Sequence, residues 1–166
     1  SFLPLVLYDA QLPCADEPVL KGQPCLPAGF NATVYRDANF TAVLPYSAYK
    51  MSRYMDGFAA AGLQVIREHP IVPDEIKEYK DHPSMLAWYL EEEPTANYWN
   101  SSDPQQAQEE RKFAQYMALK AQIKAIDPAH PVFVMDGSSD GETQLATPTN
   151  AWWTRWNSNG DVTSHD

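Results

Sequence analysis

Three consecutive carboxylates, Glu91, Glu92 and Glu93, follow an apolar run over residues 85–90 and precede Pro94. Adjacent carboxylates repel one another, and this repulsion raises the pKa of one of them toward the range of a general acid. An acid that keeps its proton near neutral pH is what acid/base catalysis requires. If the run lies in a strand, alternation places Glu91 and Glu93 on the same face unless a bulge intervenes. The alternative is a solvated strand end with a purely structural role.

Polar residues follow the other apolar runs of the chain in the same way. The carboxyl ends of parallel strands lie at one edge of a sheet, so these groups are expected to converge there as a site. The alternative is that strand ends are polar simply because they meet water. The residues are Asp9 and Gln11 after 3–8, Tyr46 after 40–44, Arg67, Glu68 and His69 after 63–66, Asp136 after 131–135, and His165 and Asp166 after Val162.

The apolar runs and the segments between them predict alternating strands and helices. Ser47 suits a helix N-cap, Gly62 a C′ position, and Pro73 and Pro104 first helical turns. Continuous apolar strands indicate a parallel sheet covered by helices. A barrel and a doubly wound sheet both stay open, although no glycine-rich phosphate loop follows the first strand. Strands are expected near 3–8, 40–44, 63–66, 85–90, 131–135 and from 162, and helices near 28–38, 47–61, 73–79, 103–126 and 151–156.

Residues 81–94, DHPSMLAWYLEEEP, resemble the fourth-strand region of clan A glycoside hydrolases, which are (β/α)8 barrels. Members of that family often read HPALLAWYL-x-DEP there, and many carry Asn-Glu-Pro at the strand end. Residues 54–66, 127–132 and 161–166 are similar to other parts of such barrels. The resemblance implies one α/β domain over 1–166, a TIM barrel that is incomplete in this chain and holds strands 1 to 6. Independently of the resemblance, an open sheet would expose backbone donors and acceptors along its first and last strands, so a missing C-terminal half-barrel or another chain is expected to cover these edges.

The resemblance also implies roles for individual residues. The family's general acid/base is the Glu before the Pro, which is Glu93 here, and its nucleophile ends strand seven, for which this chain offers no residue. Retaining hydrolysis of glycosidic bonds in a poly- or oligosaccharide uses both carboxylates. Glu92 replaces an Asn that contacts the sugar 2-hydroxyl, and an ionised carboxylate accepts but cannot donate a hydrogen bond. The alternative is a non-catalytic carbohydrate-binding or structural barrel protein that lacks the nucleophile.

Tryptophans supply a second group of candidate substrate contacts. Sugars present apolar C–H faces that stack on aromatic rings. The tryptophans outside the predicted strands, including Trp156, could stack on sugar or pack in the core. Trp88 lies inside an apolar run and is expected in the core. The expected substrate-binding residues are Glu92, Tyr46, His69, Asp136, Trp99, Trp152 and Trp153.

Charge and histidine spacing restrict the other partners. A formal net charge of -10 disfavours nucleic acid and an anionic membrane surface. No apolar run approaches the roughly 20 residues that cross a bilayer. The resemblance to glycoside hydrolases implies a carbohydrate partner, and we expect no cofactor and no metal. The four histidines, His69, His82, His130 and His165, do not have the spacing of metal ligands. His82 and His130 fall in helix-to-strand turns, at 81–83 and 127–131, that look structural.

Two cysteines and three glycosylation sequons favour an exported protein. Cys14 and Cys25 bound a Pro-rich segment, and a disulfide between them would stabilise this loop by about 3 kcal/mol, with two free thiols as the alternative. Disulfides persist in extracellular compartments, where Asn-X-Ser/Thr triplets also receive glycans. The sequence thus predicts a secreted glycoprotein, with sequons at Asn31, Asn39 and Asn100.

Overall fold

The computed structural model describes residues 5–8, 32–45, 55–68, 71–92, 103–136 and 154–165, with the backbone alone at 8, 91, 92, 103–109, 136, 164 and 165. The chain divides into two compact units, Ser1–Ala87 and Trp88–Asp166. The boundary between them falls inside the fourth strand, and each unit has its own buried side chains.

Strands alternate with helices along the described part of the chain. The strand order in the sheet is β1-β2-β3-β4-β5-β6. The pairs β1–β2, β2–β3, β4–β5 and β5–β6 are parallel. The strands are β1 Val6–Tyr8, β2 Ala42–Leu44, β3 Gln64–Arg67, β4 Met85–Glu92, β5 Val132–Asp136 and β6 Val162–His165; the helices are α1 Thr33–Asp37, α2 Met55–Ala60, α3 Pro73–Tyr79 and α4 Asp103–Ile126, followed by a helical turn at 154–157.

The spatial order of the strands repeats their order in the sequence without a reversal. A doubly wound sheet reverses its strand order at a switch point, so this topology decides between the two folds that the sequence pattern left open. Each strand is followed by helical structure before the next strand, as parallel pairing requires. The predicted fold class, an incomplete (β/α)8 barrel with strands 1 to 6, is confirmed.

In the first unit, a residue with left-handed backbone ends each of the helices α1 and α2. Asn39 has φ 70° and Gly62 has φ 76°. In each case the N–H of the following residue donates to the carbonyl five residues before it. Phe40 N–H donates to the Tyr35 carbonyl at 3.0 Å, and Leu63 N–H donates to the Phe58 carbonyl at 2.9 Å. These are Schellman caps, so the C′ position predicted for Gly62 is confirmed. Asn39, which the sequence marked only as a sequon, has the same structural role.

The core of the first unit lies between its strands and the apolar sides of α2 and α3. All three residues of β2 are buried, as expected for a parallel strand that is covered on both faces. Pro73 starts α3, with Asp74 and Glu75 in the first turn, where negative charge is favourable. The buried apolar residues are Ala42, Val43, Leu44, Met55, Phe58, Ala61, Leu63, Val65, Ile66, Ile71, Ile76, Met85 and Ala87.

The turn before β4 is held by His82, as its structural interpretation from sequence predicted. The backbone N–H of Ser84 donates to His82 Nδ1 at 3.2 Å. The ring proton is therefore on Nε2, which lies 3.2 Å from Asp56 Oδ1 and donates to it. This contact ties the turn to helix α2 within the first unit.

The second unit packs β4, β5 and the helical turn 154–157 against α4. Ile123 of α4 is fully buried, and so is Trp88, which confirms the core position predicted for this tryptophan. Trp156 is 1% exposed, and its ring meets those of Phe113 and Tyr116 edge-on, with centroids 5.0 and 5.5 Å apart. Trp156 is thus a core residue and not a sugar platform.

Two predicted helices are described only in part. Helix α1 spans Thr33–Asp37 within the predicted 28–38, and α2 spans Met55–Ala60 within the predicted 47–61; residues 28–31 and 47–54 lie outside the described ranges. The Schellman caps set the carboxyl ends of both helices, and α2 also packs on β3. No helix in the described part of the chain is both long and apolar enough to cross a membrane.

Candidate functional site

The end of β4, where the carboxylate run begins, contains a bulge. Tyr89 is opposite Phe133 of β5, but the next register pair is Glu92 opposite Met135. Three steps along β4 therefore match two steps along β5, so β4 holds one extra residue. A bulge interrupts the alternation of side chains and re-aims the residues after it, and bulges are frequent beside active sites. The prediction that Glu91 and Glu93 share a face rested on an unbroken strand, and the bulge removes that condition.

The two faces of the sheet in the second unit have different neighbours. Trp88 Nε1 donates to Asp127 at the end of α4, and a Cβ on Gly160 would lie 3.3 Å from the Cβ of Val134. Trp88 and Val134 therefore lie on the face that the helices cover, here called the helix face. Tyr89 and Phe133, one residue further along their strands, lie on the opposite face, and their rings are 5.5 Å apart.

Asp136, a predicted substrate-binding residue, ends β5. Its register partner is His165, the last residue of β6, so both lie at the carboxyl edge of the sheet in neighbouring strands. Glu92 is the other predicted binding residue within the described strands. It is paired with Met135, the residue just before Asp136 on β5. The structure thus brings the ends of β4, β5 and β6 together, as the sequence predicted for strand ends of a parallel sheet.

In the first unit, charged residues at the end of β3 are buried. Arg67 is 2% exposed and the next residue, Glu68, is 4% exposed. Arg67 Nη2 lies 3.1 Å from Glu75 Oε2 on the first turn of α3. Contact with water therefore does not explain the polar character of this strand end. The ion pair with Glu75 fixes the start of α3 against β3. His69 lies in the sequence between these two elements.

The remaining predicted site residues lie outside the described residues. They are the proposed acid/base Glu93, the proposed binding residues Tyr46, His69, Trp99, Trp152 and Trp153, the cysteines Cys14 and Cys25, and the sequon residues Asn31 and Asn100. Their roles stay predictions. Of the three sequons, Asn39 lies in the described part, where it is exposed.

Asp127 is a buried carboxylate that the sequence pattern placed only in a structural turn. It accepts hydrogen bonds from Trp88 Nε1 at 2.8 Å, from the backbone N–H groups of Ala129 and His130 at 3.1 Å, and from His130 Nδ1 at 2.8 Å. Burial alone would raise the pKa of Asp127, but the interactions with Trp88 and with the backbone N–H and ring of His130 outweigh it and hold the pKa below its ordinary value. The turn 127–131 is therefore structural, as predicted, with Asp127 as its centre.

Asp161 plays a similar part at the entry to β6, and no signal in the sequence identified it. It accepts from the backbone N–H of Val132 at 2.9 Å and pairs with Lys124 at 2.6 Å and Lys120 at 3.5 Å. Burial acts to raise the pKa of Asp161, and the Lys124 hydrogen bond, the Val132 N–H and the two lysine charges lower it overall. The carboxylate thus joins α4, β5 and β6.

Arg155 anchors the helical turn 154–157 to α4. Its guanidinium donates two hydrogen bonds to Glu110, at 2.8 and 2.9 Å, and lies 3.8 Å from the ring centroid of Phe113. The hydrogen bond from Arg155 lowers the pKa of Glu110 more than desolvation raises it. These contacts are structural and hold the turn that carries the buried Trp156. In the described residues, no group of three His, Cys, Asp or Glu side chains could hold a metal ion.

Comparison with known proteins gives structural but not sequence matches. No family model and no curated protein matches the chain. Among solved structures, β-glucuronidase 2 of Bacteroides uniformis bound covalently to cyclophellitol-6-carboxylate aziridine is similar with a TM-score of 0.56 and 11% identity, over 80% of this chain and 17% of that chain. A calcium-binding mutant of the same enzyme has a TM-score of 0.54 at 13% identity. The match covers 98% of this chain and 21% of that chain.

A glycosyl hydrolase family 2 member from Bacteroides cellulosilyticus is also similar, with a TM-score of 0.53 and 13% identity over 80% of this chain and 18% of that chain. The chain therefore spans about a fifth of the length of these proteins. At such low identity the likeness shows the fold alone, and that fold is one that glycoside hydrolases have.

Proposed function

We propose that this chain is part of a glycoside hydrolase that cleaves glycosidic bonds in a poly- or oligosaccharide by a retaining mechanism, with Glu93 as the general acid/base. The observation that carries the proposal is the bulged end of β4, where an extra residue precedes Glu92 and the carboxylate run begins. The fold shared with β-glucuronidases and the motif around Glu93 support it.

The chemistry requires a proton donor on the glycosidic oxygen. As the acid, Glu93 would protonate the leaving oxygen while a second carboxylate, about 5–5.5 Å away, attacks the anomeric carbon. The same residue would then remove a proton from the water that hydrolyses the glycosyl-enzyme. Negative charge on Glu91 and Glu92 would favour the protonated form of Glu93 before the first step. Glu92, Tyr46, His69, Asp136, Trp99, Trp152 and Trp153 are the proposed substrate contacts.

Leaving-group dependence, measured on the whole protein of which this chain is part, tests this role. A good leaving group departs without protonation, whereas a sugar alcohol does not. Glu93→Gln should therefore keep glycosylation of the enzyme by a 4-nitrophenyl glycoside close to wild type, and should lower hydrolysis of the matching oligosaccharide by about 100-fold or more. Glu78→Gln, an exposed residue of α3, is the matched control and should leave both rates unchanged.

Two outcomes would redirect the assignment. If Glu92→Gln, and not Glu93→Gln, shows the leaving-group signature, Glu92 is the acid. If the wild type binds oligosaccharides but hydrolyses neither these nor a panel of 4-nitrophenyl gluco-, galacto-, manno- and glucuronosides, the chain belongs to a non-catalytic carbohydrate-binding protein.

We also propose that the protein is secreted, with a Cys14–Cys25 disulfide and glycans on its sequons, and that further strands pair with β1 and β6. In the described residues, β1 pairs with β2 and β6 pairs with β5. Intact mass with and without reductant tests the disulfide, since alkylation of both thiols in the unreduced protein would refute it.

Residues 1–166 expressed alone should not behave as a monodisperse monomer with cooperative unfolding, because the edges of the sheet would be unpaired.

A further inference from the structure

The segment that leads into β6 contains Asn159-Gly160, the one Asn-Gly pair of the sequence. A Cβ at Gly160 would lie 2.8 Å from the carbonyl oxygen of Val162 and 3.3 Å from the Cβ of Val134, so a larger residue does not fit without displacing the backbone. Asn159 Nδ2 donates to the carbonyl of Arg155 at 2.5 Å, which satisfies a carbonyl of the preceding helical turn. Packing and hydrogen bonding therefore account for both residues of the pair.

The same pair is chemically labile, because glycine has no side chain to shield the backbone nitrogen that follows the asparagine. When Gly160 N attacks Cγ of Asn159, an N–C bond forms and the Cγ–Nδ2 bond breaks. Ammonia leaves with the proton of the Gly160 N–H, and a cyclic imide remains. Water then opens the imide at either carbonyl, which gives aspartate or isoaspartate without any oxidant or reductant.

In the folded protein, hydrogen bonds hold both reacting groups. The Gly160 N–H donates to the carbonyl of Asn157 at 3.3 Å, and the leaving nitrogen of Asn159 donates to Arg155. Lys120 Nζ donates to the Asn159 carbonyl. The charge of Lys120 would favour loss of the Gly160 proton, but this contact also fixes the peptide plane. Attack requires the nitrogen to lose its proton and to reach Cγ, so the hydrogen bonds of both groups must first break.

We propose that Asn159 is a site of spontaneous deamidation that the folded turn suppresses, so that the reaction proceeds from a locally opened state of residues 154–160. The inference does not depend on the proposed glycosidase function. The ion pair of Arg155 with Glu110 anchors the turn to α4 and so controls this opening. Isoaspartate adds a methylene group to the backbone next to Gly160, where even a Cβ is too close to its neighbours. The modified segment therefore cannot repack as before.

Reaction rates at position 159 test the inference, measured by peptide mapping and enzymatic methylation of isoaspartate at mildly alkaline pH. Asn159 in the whole protein of which this chain is part should convert at least about tenfold more slowly than in a peptide of residues 154–163, because the opened state is a minor population. Glu110→Gln, which removes the charge that Arg155 binds, should speed the reaction in the folded protein about two- to fivefold. Glu78→Gln, an exposed residue of α3, is the matched control and should leave the rate unchanged.

Each of the other outcomes overturns the inference. Conversion as fast in the folded protein as in the peptide would show that the turn gives no protection, and a peptide without isoaspartate at 159 would show that the pair is inert. Equal rates in Glu110→Gln and Glu78→Gln would show that opening of this turn does not control the reaction. If Asn159→Ser leaves the isoaspartate of this fragment unchanged, the product comes from Asn157 and the assignment is wrong.

Discussion

The indole N–H of Trp88 donates to the carboxylate of Asp127 across 2.8 Å, inside the core of the second unit. The contact joins β4 to the turn between α4 and β5. Asp127 is 2% exposed, so its negative charge is tolerated only because four donors surround it. The strand that leads into the carboxylate run is thus held in place by Asp127, a residue that is remote from that run in sequence.

Asp127→Asn should destabilise the protein by about 2–3 kcal/mol, because an amide keeps one acceptor oxygen and directs a donor at neighbouring N–H groups. Denaturation in urea of the whole protein to which this chain belongs, followed by tryptophan fluorescence, measures the change. Asp74→Asn, which removes an exposed carboxylate from α3, is the control and should cost less than about 0.5 kcal/mol. Equal effects of the two substitutions would contradict the structural role of Asp127.

The lowered pKa of Asp127 makes its contribution dependent on pH. A carboxylate whose pKa is lower in the folded state stabilises the protein above its unfolded pKa of about 3.9, and this contribution is lost as pH falls through the folded pKa. The difference in unfolding free energy between wild type and Asp127→Asn should therefore be constant from pH 7 to 5 and shrink below about pH 4. A difference that stays constant down to pH 3 would refute the lowered pKa.

Sequence reasoning predicted the elements whose signals are local and missed the contacts that depend on tertiary structure. Strand β4 and the cap at Gly62 follow from an apolar run and a glycine, although β4 extends to Glu92, two residues beyond the run 85–90 from which it was predicted. The bulge after Tyr89 does not, because it depends on how β4 pairs with β5. Asp161 was missed for the same reason, since its partners come from α4 and β5.

The network around Asp161 should be measurable as a coupled pair. Lys124 donates to Asp161 at 2.6 Å and to the carbonyl of His130 at 2.8 Å. Lys124→Met keeps the aliphatic stem, and we expect it and Asp161→Asn each to cost about 1 kcal/mol, with the double variant costing less than their sum. Because both side chains are partly exposed, 1 M salt should weaken the coupling. Strict additivity at low salt would show that the pair contributes nothing.

Two glycines of one helix region should respond to alanine with opposite signs. Gly62 has φ 76°, and a Cβ there would meet Arg36 only at 3.8 Å, so Gly62→Ala is penalised by backbone conformation alone, by about 1 kcal/mol. Gly57 lies within α2 with nothing within 4 Å of its Cβ position, so Gly57→Ala should stabilise the protein by about 0.5–1 kcal/mol. Thermal unfolding distinguishes them, and a shift of the same sign in both variants would contradict the helix boundary.

The role of Glu93 is tested most directly by chemical rescue of Glu93→Ala. In a retaining enzyme that lacks its acid/base, an activated substrate still forms the glycosyl-enzyme, but no base activates water to release it. Azide needs no base, so adding it to Glu93→Ala with a 4-nitrophenyl glycoside should raise turnover at least about tenfold. The product should be a glycosyl azide of retained anomeric configuration, identified by NMR. Full activity of Glu93→Ala without azide, or an inactive variant that azide does not rescue while Glu92→Ala is rescued, would contradict the assignment.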